Sequence, residues 1–257
     1  MSKKPITKKT ASKKKPTSRK ATKKKAAKKA ATSIALPQVN TADKRHAKRL
    51  RDMLAEHYPD AHCELDYTAP HELLIATILS AQCTDVAVNK ATPALFKKFP
   101  APADYAKSTP EAIEPYVKTL GFYRNKAKSV HAAMSAVVSD FGGEIPSTME
   151  ELLTLRGVAR KTANVVLSNA FNINLGFVVD THVMRLSRRL GLIEESEEND
   201  PVKIEKKLMA LFAQEDWGLL SHLLIFHGRR ACKARMASCA DHPVCKKFGQ
   251  NCELCRE

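Results

Sequence analysis

From residue 40 onward the apolar positions recur at helical spacing; before it few are larger than alanine. Ala47, Leu50, Met53 and Leu54 stand three and four apart within 43–57, which predicts a helix with one apolar face. The stretch His71–Gln82 is apolar on nearly every side (Leu73, Leu74, Ile75, Ile78, Leu79), the pattern of a buried helix. Thr84 and Asp85 can cap the next segment. Thr92–Pro93 and Thr109–Pro110 each read as a cap plus a first-turn proline, restarting a helix. A longer helix is predicted over 124–141, stopped by Gly142–Gly143. Ser147 and Glu150 fit a capping box ahead of Leu152, Leu153 and Leu155. Helices over 160–171, 181–190, 201–213 and 216–227 follow, with Asp200–Pro201 and Gly228 marking two of their ends. No stretch alternates at strand period, so the expected class is all-α, many short helices joined by short turns.

Charge changes the picture at the N-terminus. Residues 1–36 hold thirteen lysines and Arg19 with no acid, which leaves 29 basic against 27 acidic residues for the rest of the 257-residue chain. That Lys, Ala, Thr and Ser run has too little apolar surface to offset chain entropy, and it reads as a disordered tail. As a polycation it suits phosphate backbones; its plainer reading is a solubilising extension. No apolar run approaches the roughly 20 residues of a membrane span, and the N-terminus lacks the apolar core of a secretory signal. The expectation is a chain without membrane association, working inside the cell.

Seven cysteines are present. Cys63 and Cys83 stand alone, whereas Cys232, Cys239, Cys245, Cys252 and Cys255 crowd the C-terminal end. In a reducing compartment such crowding reads as metal ligation rather than disulfides.

Two strings carry candidate chemistry. In Leu155-Arg156-Gly157-Val158-Ala159-Arg160-Lys161-Thr162-Ala163-Asn164-Val165-Val166 a tight turn around Gly157 opens a new helix. Its free N–H groups suit a phosphate, as in a helix-hairpin-helix; an ordinary helix–helix turn has the same spacing. Lys161 falls in the first turn of that helix, where a cation is electrostatically disfavoured. There it is either mildly destabilising or used as an amine nucleophile. In Val178-Val179-Asp180-Thr181-His182-Val183-Met184-Arg185 a lone carboxylate precedes a helix. Asp180 reads equally as an N-cap and as a catalytic carboxylate held near Lys161.

These strings, together with Leu79-Ser80-Ala81-Gln82-Cys83-Thr84-Asp85-Val86-Ala87-Val88-Asn89-Lys90-Ala91-Thr92 and His227-Gly228-Arg229 before Cys232, resemble the endonuclease III family over about residues 43–245. The resemblance implies two helical lobes. One is a six-helix barrel with a helix-hairpin-helix at 63–173; the other, at 37–62 and 174–257, bears an iron–sulfur cluster. It implies a bifunctional DNA glycosylase and abasic-site lyase of base excision repair, removing oxidised pyrimidines and cutting 3′ to the lesion by β-elimination through a lysine Schiff base. Lys161 would be the nucleophile and Asp180 its partner. Gln82 would fill the space left by the flipped base, with Phe122 as a wedge from the other side. Gly157, Ala159, Arg160, Thr162 and His182 would contact DNA. The chain departs from the family hairpin at Arg156, where a proline is usual, and at Ala159, where the second glycine is usual.

The family's cluster ligands are spaced C-x6-C-x2-C-x5-C. Cys232 and Cys239 fit the first two places, but His242 and Phe248 fall at the third and fourth. Four of Cys232, Cys239, Cys245, Cys252 and Cys255 are therefore expected to hold a [4Fe–4S] cluster, with His242 as a substitute for one of them. Zinc is the alternative, since Cys252 and Cys255 have zinc-ribbon spacing. The implied partner is double-stranded DNA with damaged bases or abasic sites. The protein is expected to act as a monomer, in the cytoplasm at a bacterial nucleoid or in a eukaryotic nucleus. Two rivals stand against this reading: an adenine-mismatch glycosylase, opposed by Lys161 and by the end at Glu257, and a non-enzymatic DNA-binding protein, opposed by the Lys161–Asp180 pair.

Overall fold

The computed structural model describes residues 35–197, 199–235, 239–250 and 252. The expected disordered tail and Cys255 lie outside these residues, Ala35 and Leu36 apart. The described residues form α1 (Thr41–His57), α2 (Pro70–Leu79), α3 (Asp85–Lys98), α4 (Pro102–Ala106), α5 (Pro110–Val117), α6 (Tyr123–Phe141), α7 (Met149–Leu152), α8 (Arg160–Phe171), α9 (Thr181–Arg189), α10 (Pro201–Leu211), α11 (Trp217–Arg230) and α12 (Pro243–Phe248), with two short 3-10 turns. No strand occurs among them. Nor is any helix among them long and apolar enough to cross a membrane.

Helix α2 is the centre of the first core. Pro70 opens it with a preset φ, and the Glu72 carboxylate accepts the N–H groups of Thr68 at 2.6 Å and Ala69 at 3.2 Å. Leu73, Leu74, Ile75 and Leu79 are wholly buried, each burial worth roughly 1.5–3 kcal/mol relative to exposure. Helices α3, α6 and α8 pack around α2, and α4 and α5 pack on α6. The apolar cluster so formed runs from Leu65 to Leu167. Helix α1 packs instead on α10, α11 and α12, burying Ala47, Leu50 and Leu54, while α9 packs on α11.

Three local expectations are corrected. Helix α3 does not restart at Thr92–Pro93 but runs through it. The proline forfeits one backbone bond, and burial of Val88, Ala91 and Leu95 on one side keeps the helix whole. Gly228 does not end α11, which continues to Arg230. A Cβ there would come within 3.0 Å of Arg185 Nη2 and His182 Nδ1, so this glycine marks a close approach of α9 to α11. The cap before α7 is Thr148, one residue later than Ser147: Thr148 Oγ1 accepts the Glu151 N–H and donates to its carboxylate at 2.7 Å. The shift turns Met149 and Leu152 into the core and leaves Leu153 exposed.

Candidate active site and thiol cluster

The hairpin leads from α7 into α8. Val158 N–H closes a turn on Leu155 O at 3.1 Å, and Gly157 takes φ +84°, a left-handed value that glycine adopts without strain. Its open side faces Ser129 and Ile78, so α6 and α2 back the turn. Ala159 is the N-cap of α8 and offers no side-chain acceptor, so the first N–H groups of the helix stay uncapped by their own neighbour. Lys161, in this first turn, is exposed. Arg160 points elsewhere: its Nε donates to both oxygens of Glu205, at 2.8 and 3.1 Å. Asn164 Nδ2 donates to the same carboxylate at 3.1 Å. Gly176, on the way to Asp180, completes this node, since a Cβ there would collide with Glu205 Oε1 and Asn164 Nδ2. Glu205 thus ties the start of α8 and the 172–180 connection to α10.

Asp180 caps α9, its Oδ1 accepting the Val183 N–H at 2.8 Å. The same residue borders a cavity of about 240 Å³ that Lys161, Thr162 and Gln82 also line. Asp180 is therefore both a cap and a cavity acid. Among the described residues no ion pair within 4 Å engages Lys161, so its amine is not tied to a carboxylate. The remaining charged lining is already matched: Arg229 donates to Glu64 and, at 2.8 Å, to Asp85. His222, from α11, closes the wall, and burial pushes its ring down to about 4, so it is neutral near pH 7. Cys63, also in the wall, is pushed up to about 11 by burial and stays a thiol. Glu64, Asp85, His222 and Arg229 were not anticipated as cavity residues. Arg229 lies in a string noted for its resemblance, and His222 follows Leu219 and precedes Ile225 at helical spacing, but neither spacing signals which residues meet.

Gly157, Ala159, Arg160, Phe122 and His182 do not line this cavity. His182 faces a neighbouring recess with His62, Glu64, Asp85 and Arg229, and Arg185 Nη2 lies 3.3 Å from its Nδ1. Gln82 and Phe122 share a feature, found also at Asn172. Both are exposed, and both hold left-handed backbone, φ 56° and 57°. Phe122 is 68% exposed, an unusual state for a large apolar ring. The two turns are joined beneath the surface: Lys126, buried in α6, donates from Nζ to Cys83 Sγ at 2.9 Å.

A family model described as "HhH-GPD superfamily base excision DNA repair protein" matches residues 75–214. The chain is 51% identical over 198 residues to endonuclease III of Synechocystis sp., covering 77% of this chain and 89% of the relative. It is 43% identical over 206 residues to endonuclease III of Bacillus subtilis, covering 80% and 90%. Among solved structures, a trapped endonuclease III–DNA covalent intermediate in an estranged-adenine complex superposes with a TM-score of 0.75 at 41% identity, covering 81% of this chain and 95% of that one. The chain belongs to the endonuclease III family. Its activity is that of the family, a DNA glycosylase and abasic-site lyase of base excision repair.

The thiols complete the endonuclease III pattern in a shifted form. Cys232, Cys239, Cys245 and Cys252 are all buried. The Sγ atoms of Cys232, Cys239 and Cys252 lie within 4.8 Å of one another, and Cys232 and Cys245 lie equally close to a ring nitrogen of His227. Cys245 and Arg189, by hydrogen bonding to Cys232, draw its thiol down to about 5; the Arg189 contact is 3.3 Å. Four buried thiols, one already favoured as thiolate, fit a [4Fe–4S] cluster. When bound, such a cluster cross-links the segment by four Fe–S bonds. Cys245, on the buried side of α12, would be the third ligand. His242 has other partners: its Nδ1 accepts the Val244 N–H at 3.2 Å as the cap of α12, and its Nε2 meets the Tyr58 hydroxyl at 3.2 Å. Cys255, on which the zinc-ribbon spacing depended, lies outside the described residues.

Proposed function

We propose that Lys161 is the nucleophile of this glycosylase and lyase and that Asp180 is its catalytic carboxylate. The observation that carries the reading is their meeting in one cavity from two helix starts, with no ion pair among the described residues tying the amine down. The substrate is duplex DNA bearing an oxidised pyrimidine, flipped out of the stack to reach the amine. Lys161 Nζ, as the neutral amine, bonds to C1′ of the sugar while the C1′–base bond breaks and the base departs with the electron pair. Asp180 steadies the positive charge that builds on the sugar and passes protons between amine, base and sugar. Opening of the sugar leaves a Schiff base on Lys161. Loss of a C2′ proton then expels the 3′ phosphate, cutting the strand 3′ to the lesion.

Binding rests on the hairpin. Gly157, Ala159 and the uncapped N–H groups of Arg160, Lys161 and Thr162 suit a backbone phosphate, with His182 on the neighbouring wall. Gln82 fills the vacated place in the stack and Phe122 wedges from the other side; their exposure and preset left-handed backbone support both roles. We read residues 63–173 as one lobe and 37–62 with 174–257 as the other, in keeping with the apolar cluster that spans Leu65 to Leu167. The protein works as a monomer on the genome, in the cytoplasm at the nucleoid of a bacterium.

Borohydride reduction during reaction with abasic-site DNA tests the nucleophile. Wild type is expected to become covalently trapped and Lys161→Gln not to, while both still bind the duplex in a filter assay. Trapping of Lys161→Gln at the wild-type yield would remove Lys161 from the mechanism.

A further inference from the structure

The cavity beside Lys161 and Asp180 has to accept a base as well as a sugar, and its wall offers few groups that could read one. Glu64 and Asp85 are engaged with Arg229. Asp180 spends one oxygen on the Val183 N–H. Cys63 is a weak partner. Gln82, Thr162 and His62 are exposed or partly exposed lining groups, and His62 Nδ1 lies against Asp60 O. His222 is the histidine of the wall that is drawn inward, with its hydrogen-bonding state fixed from behind.

The amide of Asn169 sets that state. Its Nδ2 donates to Val165 O at 2.9 Å, a carbonyl that can only accept, and also lies 3.0 Å from Ser168 Oγ. Its Oδ1 is therefore the group that meets His222 Nε2, at 2.8 Å. An amide oxygen only accepts, so the imidazole proton sits on Nε2. Burial keeps the ring neutral at physiological pH. His222 Nδ1 is then an unprotonated acceptor, with no hydrogen-bond partner in the protein among the described residues, on a ring that lines the cavity.

We propose that His222 determines specificity by accepting, at Nδ1, a hydrogen bond from the N3–H of the flipped base. The proposal rests on the glycosylase reading above and narrows its substrate class. Uracil- and thymine-type rings, saturated or oxidised at C5 and C6, carry a hydrogen on N3 and can donate. Cytosine-type rings carry a lone pair there, and two acceptors facing each other leave both unsatisfied. His222 does not touch the reacting bond; it holds the ring while Lys161 attacks.

The test is a cycle between protein and substrate, read as single-turnover base release from duplexes containing 5,6-dihydrothymine or its N3-methyl derivative. For each protein the rate is divided by its borohydride-trapping rate on abasic DNA, a substrate with no base for His222 to meet. In wild type, N3-methylation is expected to lower this ratio about tenfold, the scale of one hydrogen bond lost in a site built for it. His222→Leu should lower the ratio about tenfold on dihydrothymine and respond to N3-methylation by no more than about twofold. His222→Asn, which keeps an acceptor close to the Nδ1 position, should recover part of the loss on dihydrothymine and again discriminate against the methylated base. Equal cost of N3-methylation in wild type and His222→Leu, or no cost in wild type, overturns the proposal. Absence of any covalent trapping in wild type would instead overturn the lysine nucleophile, so the two readings fail separately.

Discussion

One oxygen of Asp180 accepts the Val183 N–H at the start of α9, and the same carboxylate borders the cavity that Lys161 enters. The two uses can be separated by substitution, because asparagine caps a helix about as well as aspartate but carries no charge. Asp180→Asn is expected to lower single-turnover base release by about a hundredfold or more and to change stability by less than ~0.5 kcal/mol. Asp180→Ala should show the same loss of rate together with a loss of about 1 kcal/mol in urea denaturation. If Asp180→Asn keeps full turnover, the residue is a cap alone. In the sequence both readings of Asp180 stood side by side because a cap is a local relation, visible as Asp before a helix. The cavity role depends on where α8 and α9 start relative to each other, which no spacing within either helix records. Lys161 stands out for the opposite reason: a cation in a first helical turn is anomalous wherever the helix lies, although that anomaly alone does not assign it a role.

At the scale of elements, the start of α8 is held by a residue that its own sequence gives no hint of. Glu205 is 6% exposed and accepts from Arg160 and Asn164, while Gly176 leaves it room. Glu205→Ala would leave Asn164 without its acceptor and Arg160, about a third exposed, without its counter-charge. We expect a loss of roughly 1.5–3 kcal/mol, the range for hydrogen bonds to a charged group, measured by urea denaturation. Base release should fall further than stability alone explains, since Lys161 is the next residue after Arg160. Unchanged stability would mean that water replaces the carboxylate at no cost. Glu205 escaped notice because Lys206 and Lys207 follow it and the stretch reads as a solvated face. Its nearness to buried Ile204 and Leu208 was the available signal. Helix α2, with seven consecutive buried residues from Leu73 to Leu79, was legible because burial on all sides leaves an apolar run broken only by Thr77. Ends were less so. Pro93 and Gly228 look like stops in a list of residues, yet packing carries both helices through them. The short helices α4 and α12 hold too few turns for a period to show.

At the scale of the whole molecule, the C-terminal thiols decide whether the last segment has a fold. Purified aerobically or not, the protein is expected to be yellow-brown and to contain about four iron atoms per chain. Cys232→Ser should remove the colour and the helical signal of the C-terminal segment together, because ligation and folding are coupled. Stoichiometric zinc without iron in anaerobically prepared protein would overturn the assignment. The cysteine crowd was plain in the sequence; which of its members could act together was not, since that depends on Cys245 riding on the buried side of α12 while His242 is used as the cap.

Helix α11 joins this segment to the chemistry. It carries His222 and Arg229 in the wall of the cavity and His227, whose Nε2 lies 3.2 Å from Cys245 Sγ, between them. Seven residues of α-helix span only about 10 Å, so one helix sets the ring beside the thiols and the wall of the cavity within two turns of each other. Thermodynamic reciprocity then applies: whatever factor the bound metal adds to affinity for a flipped base, the flipped base must add to affinity for the metal. Where the metal favours the flipped base, a repair enzyme loaded on its lesion surrenders iron to a chelator more slowly than one searching undamaged DNA, and the damage itself acts as a preservative of the protein that removes it; an equal rate in the two states means that α11 couples nothing.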